Sequence, residues 1–286
     1  MKRSILYLAA RFCLIGFFCA TSFSTRAATT GTTVAGGNGP GAAANQLNVP
    51  AGVYVDAAGN VFVSDTYNDR IQKWTPGATA GTTVAGGNGP GAAANQLNTP
   101  YGVYVDAVGN VYVSDQSNQR VQKWAPGATA GTTVAGGHGN GAAANQLYSP
   151  SGVYVDTAGN VYVSDESNHR IQKWAPGATA GTTVAGGNGQ GAAANQLYGP
   201  SGVYVDAAGN VYVSDRINNR IQRWALGATA GTTVAGGNGQ GAAANQLYHP
   251  TGVYVDAAGN VYVSDEFNHR IQKWATGAIR SEEHTS

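Results

Sequence analysis

The chain has 286 residues and a formal net charge of +1 at pH 7, and charged residues make up 11% of it. This balance argues against a protein that binds nucleic acid through a basic surface. Short, dense runs of Val, Tyr, Ile and Trp exclude a disordered chain. Both cysteines, Cys13 and Cys19, precede the repeating part of the chain, which therefore has no disulfide and no thiol chemistry.

Residues 1–27 have the pattern of a signal peptide. A basic start, an apolar run and the small residues of Thr25-Arg26-Ala27 precede an expected cleavage before Ala28. The apolar run is shorter than the ~20 residues that span a bilayer, which disfavours a retained membrane anchor. Attachment of a lipid to Cys19 is disfavoured because Phe18, a large residue, precedes it. We expect an exported protein, secreted or periplasmic, with no membrane association after cleavage.

The segment from Gly31 to Arg280 is a tandem repeat of five 50-residue units. Forty of the 42 glycines recur at the same eight positions of the unit, and each unit has its one tryptophan at the same position. Units this similar share one architecture, so we predict a single domain over residues 28–280. Its units are 31–80, 81–130, 131–180, 181–230 and 231–280.

The first unit predicts a run of short strands. Gly52–Asp56 and Asn60–Asp65 are β-rich runs joined by a short turn that contains glycine, which is typical of a hairpin. Arg70–Trp74 is a third run, Pro76-Gly77 ends it, and Gly81–Ala85 of the next unit is a fourth. Each period therefore predicts a four-stranded antiparallel meander.

The apolar Val-Tyr-Val runs predict strands that are covered on both faces. Twisted sheets that stack face to face bend around an axis, so the predicted fold is all-β, a β-propeller of five four-stranded blades. A β-solenoid is the alternative, but its coils are shorter than this period. Gly31–Ala35 is an unpaired fourth strand and the last unit has three strands, so we expect Gly31–Ala35 to join Arg270–Trp274 and close the ring.

One pattern recurs in all five units. In the first unit it reads Gly52-Val53-x-Val55-Asp56-x-x-Gly59-Asn60-Val61-x-Val63-x-Asp65-x-x-Asn68-x-Arg70-Ile71-Gln72. An Asn-His dipeptide occurs in it at Asn168-His169 and Asn268-His269, and the His position of the other units holds Asp69, Gln119 and Asn219. The pattern resembles the NHL repeat of bacterial exported proteins.

This resemblance implies a β-propeller, commonly of six blades, so five blades depart from the family. It leaves the function open, because NHL and related propellers serve as scaffolds for binding proteins, RNA or sugars and for lyase or lactonase activity. RNA binding would need a basic rim, and Arg216 is the only Lys or Arg at the variable positions described below. We therefore expect no nucleic-acid partner.

Residues 281–286 do not follow the repeat. Together with Arg280 they resemble the translation of a sequencing adapter, so we treat them as a non-native tail without functional weight. Five is then a lower bound on the number of blades.

Two sets of polar residues recur in every unit. One set ends the first strand and has two interpretations, a ring of oxygen ligands for an axial cation or turn residues that accept backbone N–H groups. Its strict repetition favours the turn, so we predict no metal and no cofactor. The members are Asp56, Asp106, Asp156, Asp206 and Asp256. The other set, Asp65, Asn68 and Arg70 with their copies, predicts a polar clasp of the turn between the second and third strands.

Four histidines lie in the repeat region, and they occupy three different repeat positions. Metal ligands converge on one point, so this scatter predicts solvated loop residues rather than a zinc site. They are His138, His169, His249 and His269.

Differences among the units concentrate at six positions, which in the first unit are 48, 49, 51, 66, 67 and 69. These positions precede the first strand or follow the second, and in an antiparallel meander both connections lie at the same end of the sheet. The turns at 56–60 and 76–80 hardly change. The pattern predicts a variable binding face on a constant scaffold, and the alternative is drift of exposed loops.

We expect an exported, non-enzymatic binding module whose ligand is a protein or a glycan, because aromatic residues with polar neighbours suit such surfaces. The alternative is a lyase- or lactonase-like enzyme with a divalent metal on the axis. An enzyme needs an asymmetric constellation, which near-identical units do not readily supply. The predicted contact residues are Asn48, Tyr67, Tyr101, Tyr148, Tyr198, Tyr248, Glu166, Arg216, Phe267 and His269.

Overall fold

The repeat units form five antiparallel sheets in the computed structural model, which describes residues 31–275. The predicted signal peptide and the predicted tail lie outside these residues. No helix in residues 31–275 is long and apolar enough to cross a membrane. The predicted all-β propeller of five antiparallel blades is confirmed.

The strand bounds agree with the predicted runs to within two residues. The first blade has β1 (Pro50–Val55), β2 (Val61–Asp65), β3 (Arg70–Trp74) and β4 (Thr82–Gly86). The second has β5 (Pro100–Val105), β6 (Val111–Asp115), β7 (Arg120–Trp124) and β8 (Thr132–Gly136), and the third has β9 (Pro150–Val155), β10 (Val161–Asp165), β11 (Arg170–Trp174) and β12 (Thr182–Gly186). The fourth has β13 (Pro200–Val205), β14 (Val211–Asp215), β15 (Arg220–Trp224) and β16 (Thr232–Gly236), and the fifth has β17 (Pro250–Val255), β18 (Val261–Asp265) and β19 (Arg270–Trp274).

Strands and sequence units are out of phase by one strand. The fourth strand of the first blade, β4, pairs with β3 but begins the second sequence unit. Each of the first four blades is therefore completed by a strand from the next unit, which ties successive blades together along the chain.

The core lies between the blades. Between the first two blades, Ile71 and Ala85 of one blade pack with Val113 and Trp124 of the next, and Leu97 from the connecting segment fills the space between them. Equivalent clusters join the second to the third, the third to the fourth and the fourth to the fifth blade. Fully burying a Val, Leu or Ile side chain stabilises the fold by about 1.5–3 kcal/mol before ordering costs, so stacking of blades is the main source of stability.

The first strands of successive blades contact each other around the axis. A Cβ atom at Gly102 would overlap the carbonyl oxygen of Ser151 on the next blade, so glycine at this position permits the close approach. Two residues further along each first strand, tyrosines of neighbouring blades form a ladder of tilted and edge-on rings, with centroids 5.0–5.4 Å apart. The ladder consists of Tyr54, Tyr104, Tyr154, Tyr204 and Tyr254.

The predicted closing strand is wrong. Residues 31–35 form no strand, and among residues 31–275 β19 pairs with β18 alone in a three-stranded sheet. A fourth strand such as β4 has two supports. It pairs with β3, and its residue Ala85 packs against Val103 and Val105 of the next blade. The described residues form no such cluster between the fifth blade and the first, so a strand beside β19 would lack the second support.

We predict that raising the pH unfolds the protein through its buried tyrosines. Burial, with the nearby carboxylates of Asp106 and Asp156, raises the pKa of Tyr112 and Tyr162 to about 12. Tyrosines in the unfolded chain ionise at a lower pH than these two do in the folded chain. The stability that the neutral form contributes is therefore complete below pH ~10 and is lost as the pH rises through about 12. Tyrosinate absorbance and circular dichroism should therefore change together above ~10.

The double variant Tyr112→Phe/Tyr162→Phe should keep its circular dichroism to a higher pH than the unmodified chain. Tyrosines that all ionise in one step near ~10 while the circular dichroism stays unchanged would contradict this account.

Candidate functional site

The segment that enters the first strand and the turn that follows the second strand lie side by side in every blade. In the first blade the N–H of Asn48 donates to Oδ1 of Asp65 (2.6 Å), and the N–H of Tyr67 donates to the carbonyl of Asn48 (3.1 Å). The same two bonds recur in the other four blades. The six variable positions of each unit therefore lie at one end of the sheets, and we call this surface the variable rim.

The constant residues beneath the variable rim form the predicted clasp. Asp65 is fully buried, and its Oδ2 accepts from Nε of Arg70 (2.7 Å) and from the amide of Asn68 (2.8 Å). Arg70 also donates to the carbonyls of Ala43 and Gln46, which ties the long connecting segment to the blade. These contacts explain why Asp65, Asn68 and Arg70 do not vary, whereas their neighbours do.

Position 69 has a structural role that its variation conceals. Its side chain accepts a hydrogen bond from the backbone N–H at position 49 of the next blade, from Thr99 to Asp69 (2.9 Å), for example, or from Gly199 to Nδ1 of His169 (3.2 Å). Gln119 and Asn219 accept in the same way. The residue also has a left-handed backbone, with φ between 51° and 55°, so the position needs an acceptor that tolerates this conformation.

Two histidines are therefore not the solvated loop residues that the sequence predicted. His169 bonds to the next blade, and its ring meets the ring of Tyr198 edge-on at 5.4 Å. His249 is partly buried and stacks on Phe267 at 4.7 Å. Burial and the positive charge of Arg216 lower the pKa of His249.

Position 66 of three neighbouring blades forms a charged cluster on the variable rim. Arg216 lies between two carboxylates, with Nη1 3.5 Å from Oε1 of Glu166 and Nε 4.0 Å from Oε2 of Glu266. All three side chains are partly exposed, so these ion pairs contribute little to stability. Burial raises the pKa of Glu166, and Arg216 and the hydroxyl of Ser151 oppose it.

Tyr101 faces the same cluster from the second blade. Burial raises the pKa of its hydroxyl, and the negative charge of Glu166 adds to this effect. The hydroxyl therefore remains a hydrogen-bond donor across the physiological range. Together with Arg216 it offers donors beside two carboxylate acceptors, an arrangement that suits a polar ligand with both kinds of group.

A cavity of about 680 Å³ follows the axis. The first strands of all five blades line it, and so do Tyr101, Ser151 and Glu266. The charged cluster thus adjoins an axial pocket of the size that holds a small ligand.

The structure brings some predicted contact residues together and leaves others apart. Tyr101, Glu166 and Arg216 share the charged cluster, and Tyr248 packs edge-on against Phe267 at 4.9 Å. Tyr198 contacts His169, whereas Asn48, Tyr67, Tyr148 and His269 belong to neither group. Tyr67 and Tyr148 are 65% and 43% exposed, and His269 is exposed too.

Ser151, His249 and Glu266 were predicted to lie on the variable face but were not among the predicted contact residues. All three occupy variable positions, 51, 49 and 66, so the variation itself was the available signal. What the sequence did not show is which of these positions turn toward the axis.

The aspartates at the end of the first strand are turn residues. Oδ1 of Asp56 accepts from the N–H groups of Ala58 (3.0 Å) and Asn60 (2.8 Å), and Oδ2 accepts from the Asn60 amide (2.7 Å). These bonds agree with the turn interpretation. Among the described residues there is no group of three or more His, Cys, Asp or Glu that could hold a metal ion.

Comparison with known families matches four of the five repeats. The NHL repeat model matches residues 47–74, 147–174, 197–224 and 247–274. The segment it does not match, in the second unit, contains Val121 where the other units have Ile and Gln119 where the two literal dipeptides have His. A search of curated protein sequences found no match.

Several solved structures share the fold at low sequence identity. A nidogen/laminin complex matches with a TM-score of 0.61 and 19% identity, over 79% of this chain and 76% of the other. An auxiliary nutrient binding protein from Bacteroides thetaiotaomicron matches with a TM-score of 0.61 and 16% identity, over 80% of this chain. This chain spans 59% of that protein's length.

A streptogramin B lyase matches with a TM-score of 0.51 and 11% identity, over 79% of this chain and 68% of the lyase. Identities this low establish a common fold and nothing about activity.

We predict that breaking one buried clasp destabilises the whole propeller. Arg170→Met leaves the buried carboxylate of Asp165 without its guanidinium partner at 2.7 Å, and the free energy of unfolding should fall by about 3–5 kcal/mol. Urea denaturation measures the change. Ser167→Ala, at an exposed position of the same turn, is the control and should change stability by less than about 0.5 kcal/mol. Equal stabilities of the two variants would show that the clasp is dispensable.

A second prediction concerns position 69. His169→Asn keeps an acceptor and a residue that tolerates a left-handed backbone, as at Asn219, so its stability should remain close to that of the unmodified chain. His169→Ala leaves the buried N–H of Gly199 without its acceptor and should cost about 1–3 kcal/mol. Thermal denaturation of the two variants compares them directly, and an Ala variant as stable as the Asn variant would rule out a role for this bond.

Proposed function

Because the chain belongs to the NHL-repeat β-propeller family, we propose that it is an exported, non-enzymatic scaffold that binds a protein or glycan ligand through the variable rim. The observation that carries the proposal is the distribution of differences among the units. Side chains vary on the rim, while the turns at the opposite end are nearly the same in all five units and keep one hydrogen-bond pattern, as at Asp56 and Asp156.

Drift of exposed loops does not account well for this distribution. The constant turns are exposed too, at Ala57 and Ala58 for example, and they are nearly the same in all five units. Part of the variation is constrained by packing, since position 69 supplies an acceptor to the next blade in each of the first four blades. Positions 48, 66 and 67 carry no such common bond from the side chain, so they are the positions at which a ligand would select residues.

The residues on the rim suit recognition of a ligand. Tyr67, Tyr148 and Phe267 present exposed aromatic surface, and the charged cluster adds donors and acceptors beside the axial pocket. Aromatic residues and arginine are enriched where proteins bind partners. Aromatic rings beside hydrogen-bonding groups also suit the faces and hydroxyls of sugars.

Export rests on the leader pattern in residues 1–27. The similar structures include an auxiliary nutrient binding protein and a nidogen/laminin complex, which lends support to a binding role for this fold. What those proteins bind is not carried over to this chain.

The enzyme alternative has one observation in its favour. Glu166, Arg216, Glu266 and Tyr101 form an asymmetric cluster beside the axial pocket, and asymmetry is what an active site requires. Binding remains the better supported function, because the repeated aspartates that would have held an axial metal are bonded to their own turns.

A rim variant tests the proposal. Tyr67→Ala, Tyr148→Ala and Phe267→Ala together should weaken binding by about thirtyfold or more, since truncating even one aromatic hot spot of a binding surface costs about 2 kcal/mol. Binding would be measured on an array of bacterial and plant glycans and on immobilised exported proteins of the source organism, with the thermal midpoint recorded in parallel.

The matched control changes exposed apolar residues at the opposite end. Val108→Ala and Leu226→Ala lie in constant turns and are 78% and 76% exposed, so they should leave binding unchanged. Equal loss of binding in both variants, or loss only through a lower thermal midpoint, would contradict the proposal.

A further inference from the structure

Arg216 bonds to its acidic neighbours less closely than the arginines of the clasp do. Arg70 and its four copies each hold a fully buried aspartate at 2.7 Å, the length of a strong charge-assisted hydrogen bond. The guanidinium of Arg216 instead lies 3.5 Å from the carboxylate of Glu166 and 4.0 Å from that of Glu266, and all three side chains are partly exposed. The charged cluster therefore keeps hydrogen-bonding capacity for another molecule.

Three of the polar groups at this place lie well inside the row of blades. Tyr101, Glu166 and Arg216 belong to the second, third and fourth blades, and each of these blades packs against a neighbour on both sides. Burial raises the pKa of Tyr101, and the charges of Glu166, Arg216 and Glu266 act on the same hydroxyl. Contacts between internal blades thus bring a phenolic hydroxyl to the charged cluster.

An aromatic group adjoins the charged cluster on the fifth blade. The ring of His249 stacks on Phe267 at 4.7 Å, and the ring of Tyr248 meets Phe267 edge-on at 4.9 Å. Burial lowers the pKa of His249, and the charges of Arg216 and Glu266 also act on it, so this group lies beside the cluster. Phe267 is 45% exposed, and position 67 is exposed in the internal blades as well. Apolar ring surface is therefore available next to the charged groups.

These groups match the chemistry of sugar hydroxyls. Arg216 and Tyr101 are donors, and the carboxylates of Glu166 and Glu266 are acceptors. A hydroxyl accepts one hydrogen bond while it donates another, so neighbouring hydroxyls of one sugar bond to both kinds of group at once. An acidic sugar would approach two carboxylates, and an ammonium group would approach a guanidinium, so each would bring like charges together. The cluster favours a neutral, hydroxyl-rich ligand.

The charged cluster differs from the centre of a protein–protein interface. The buried cores of such interfaces are depleted in charged residues, glutamate included. Here two glutamates and an arginine adjoin the axial pocket. A protein surface that covered them would remove their water, and charges that lose water without new hydrogen bonds destabilise a complex. The hydroxyls of a sugar replace those lost bonds.

We propose that the ligand of the variable rim is a neutral oligosaccharide, one sugar of which bonds to the charged cluster through its hydroxyls while an adjoining sugar packs on the ring of Phe267. This inference rests on the proposed function, because it names the ligand class of the same rim and selects a glycan over a protein. The axial pocket, whose lining includes Tyr101 and Glu266, gives the first sugar a concave site. The exposed ring of Phe267 gives the second an apolar face.

An array of neutral, acidic and cationic oligosaccharides tests the ligand class. The purified chain should bind at least one neutral glycan. Its affinity for that glycan, measured by calorimetry, should change by less than about twofold when the salt concentration is raised to about 0.5 M, since a neutral ligand has no charge to screen. Binding confined to acidic or cationic glycans, an affinity that falls about tenfold with salt, or no glycan binding at all would overturn the proposal.

Two variants test whether the sugar binds at the cluster. Arg216→Met removes the central donor and should weaken binding by about tenfold or more, whereas Tyr101→Phe removes one neutral hydroxyl and should weaken it by about threefold. Tyr101→Phe keeps the ring, so it serves as the test if Arg216→Met lowers the thermal midpoint. Affinities that stay unchanged in both variants would place the sugar elsewhere and overturn the proposal.

Asp69→Asn is the matched control. It also changes the charge of the variable rim by one, but it keeps an acceptor for the N–H of Thr99, as Asn219 does for the N–H of His249. Its affinity for the neutral glycan should equal that of the unmodified chain. An equal loss of affinity in Asp69→Asn and Arg216→Met would show a general effect of rim charge and would contradict a sugar site at the cluster.

Failure of this ligand class can be told apart from failure of the variable rim as a binding surface. If no neutral glycan binds but an exported protein does, and Tyr67→Ala, Tyr148→Ala and Phe267→Ala together abolish that binding, the proposed function stands and the sugar site is wrong. If the triple variant weakens the binding of no ligand, both are wrong.

Discussion

A buried ion pair in each blade holds the rest of the structure in place. The carboxylate at position 65 has no contact with solvent, and it gathers the guanidinium of Arg70, the amide of Asn68 and the backbone N–H of Asn48 around one point. A buried charge must be fully bonded, so none of these partners can change without cost. The clasp therefore defines the path of the chain into the first strand and out of the second, which is where the variable rim begins.

On the variable rim, positions whose side chains can vary widely lie beside positions whose side chains are limited by a hydrogen bond. The side chain at position 69 bonds to the following blade and is limited to acceptors, whereas the side chain at position 67 is exposed in all five units and differs widely. Position 66 is intermediate, since Thr66 bonds to the carbonyl of Pro100 on the next blade, while Arg216 lies between two carboxylates. The same backbone thus supports packing and recognition in alternating residues, which explains how a nearly symmetric scaffold acquires an asymmetric surface.

Much of the fold could be predicted from the sequence, and the site only in part. Strand positions followed from short apolar runs between glycine turns, and the offset of one strand followed from the phase of the repeat. The predicted contact residues do lie on one rim, but their grouping could not be foreseen. Ser151 and Glu266 line the axial pocket, and His249 stacks on Phe267. His169 is not a solvated residue, because the N–H of Gly199 on the next blade donates to it.

The sequence by itself determined what one 50-residue unit does: its strands, its turns, its clasp and the end at which it varies. These features depend on the spacing of residues and on contacts within the unit, and the same sequence pattern occurs in all five units. Only the tertiary structure decided how the units meet. The rotation between blades arises from many side-chain contacts across each interface, and a small difference in that rotation accumulates around the axis. Within residues 31–275 the expected closing strand beside β19 is not formed, and Val53 and Ile271 are exposed.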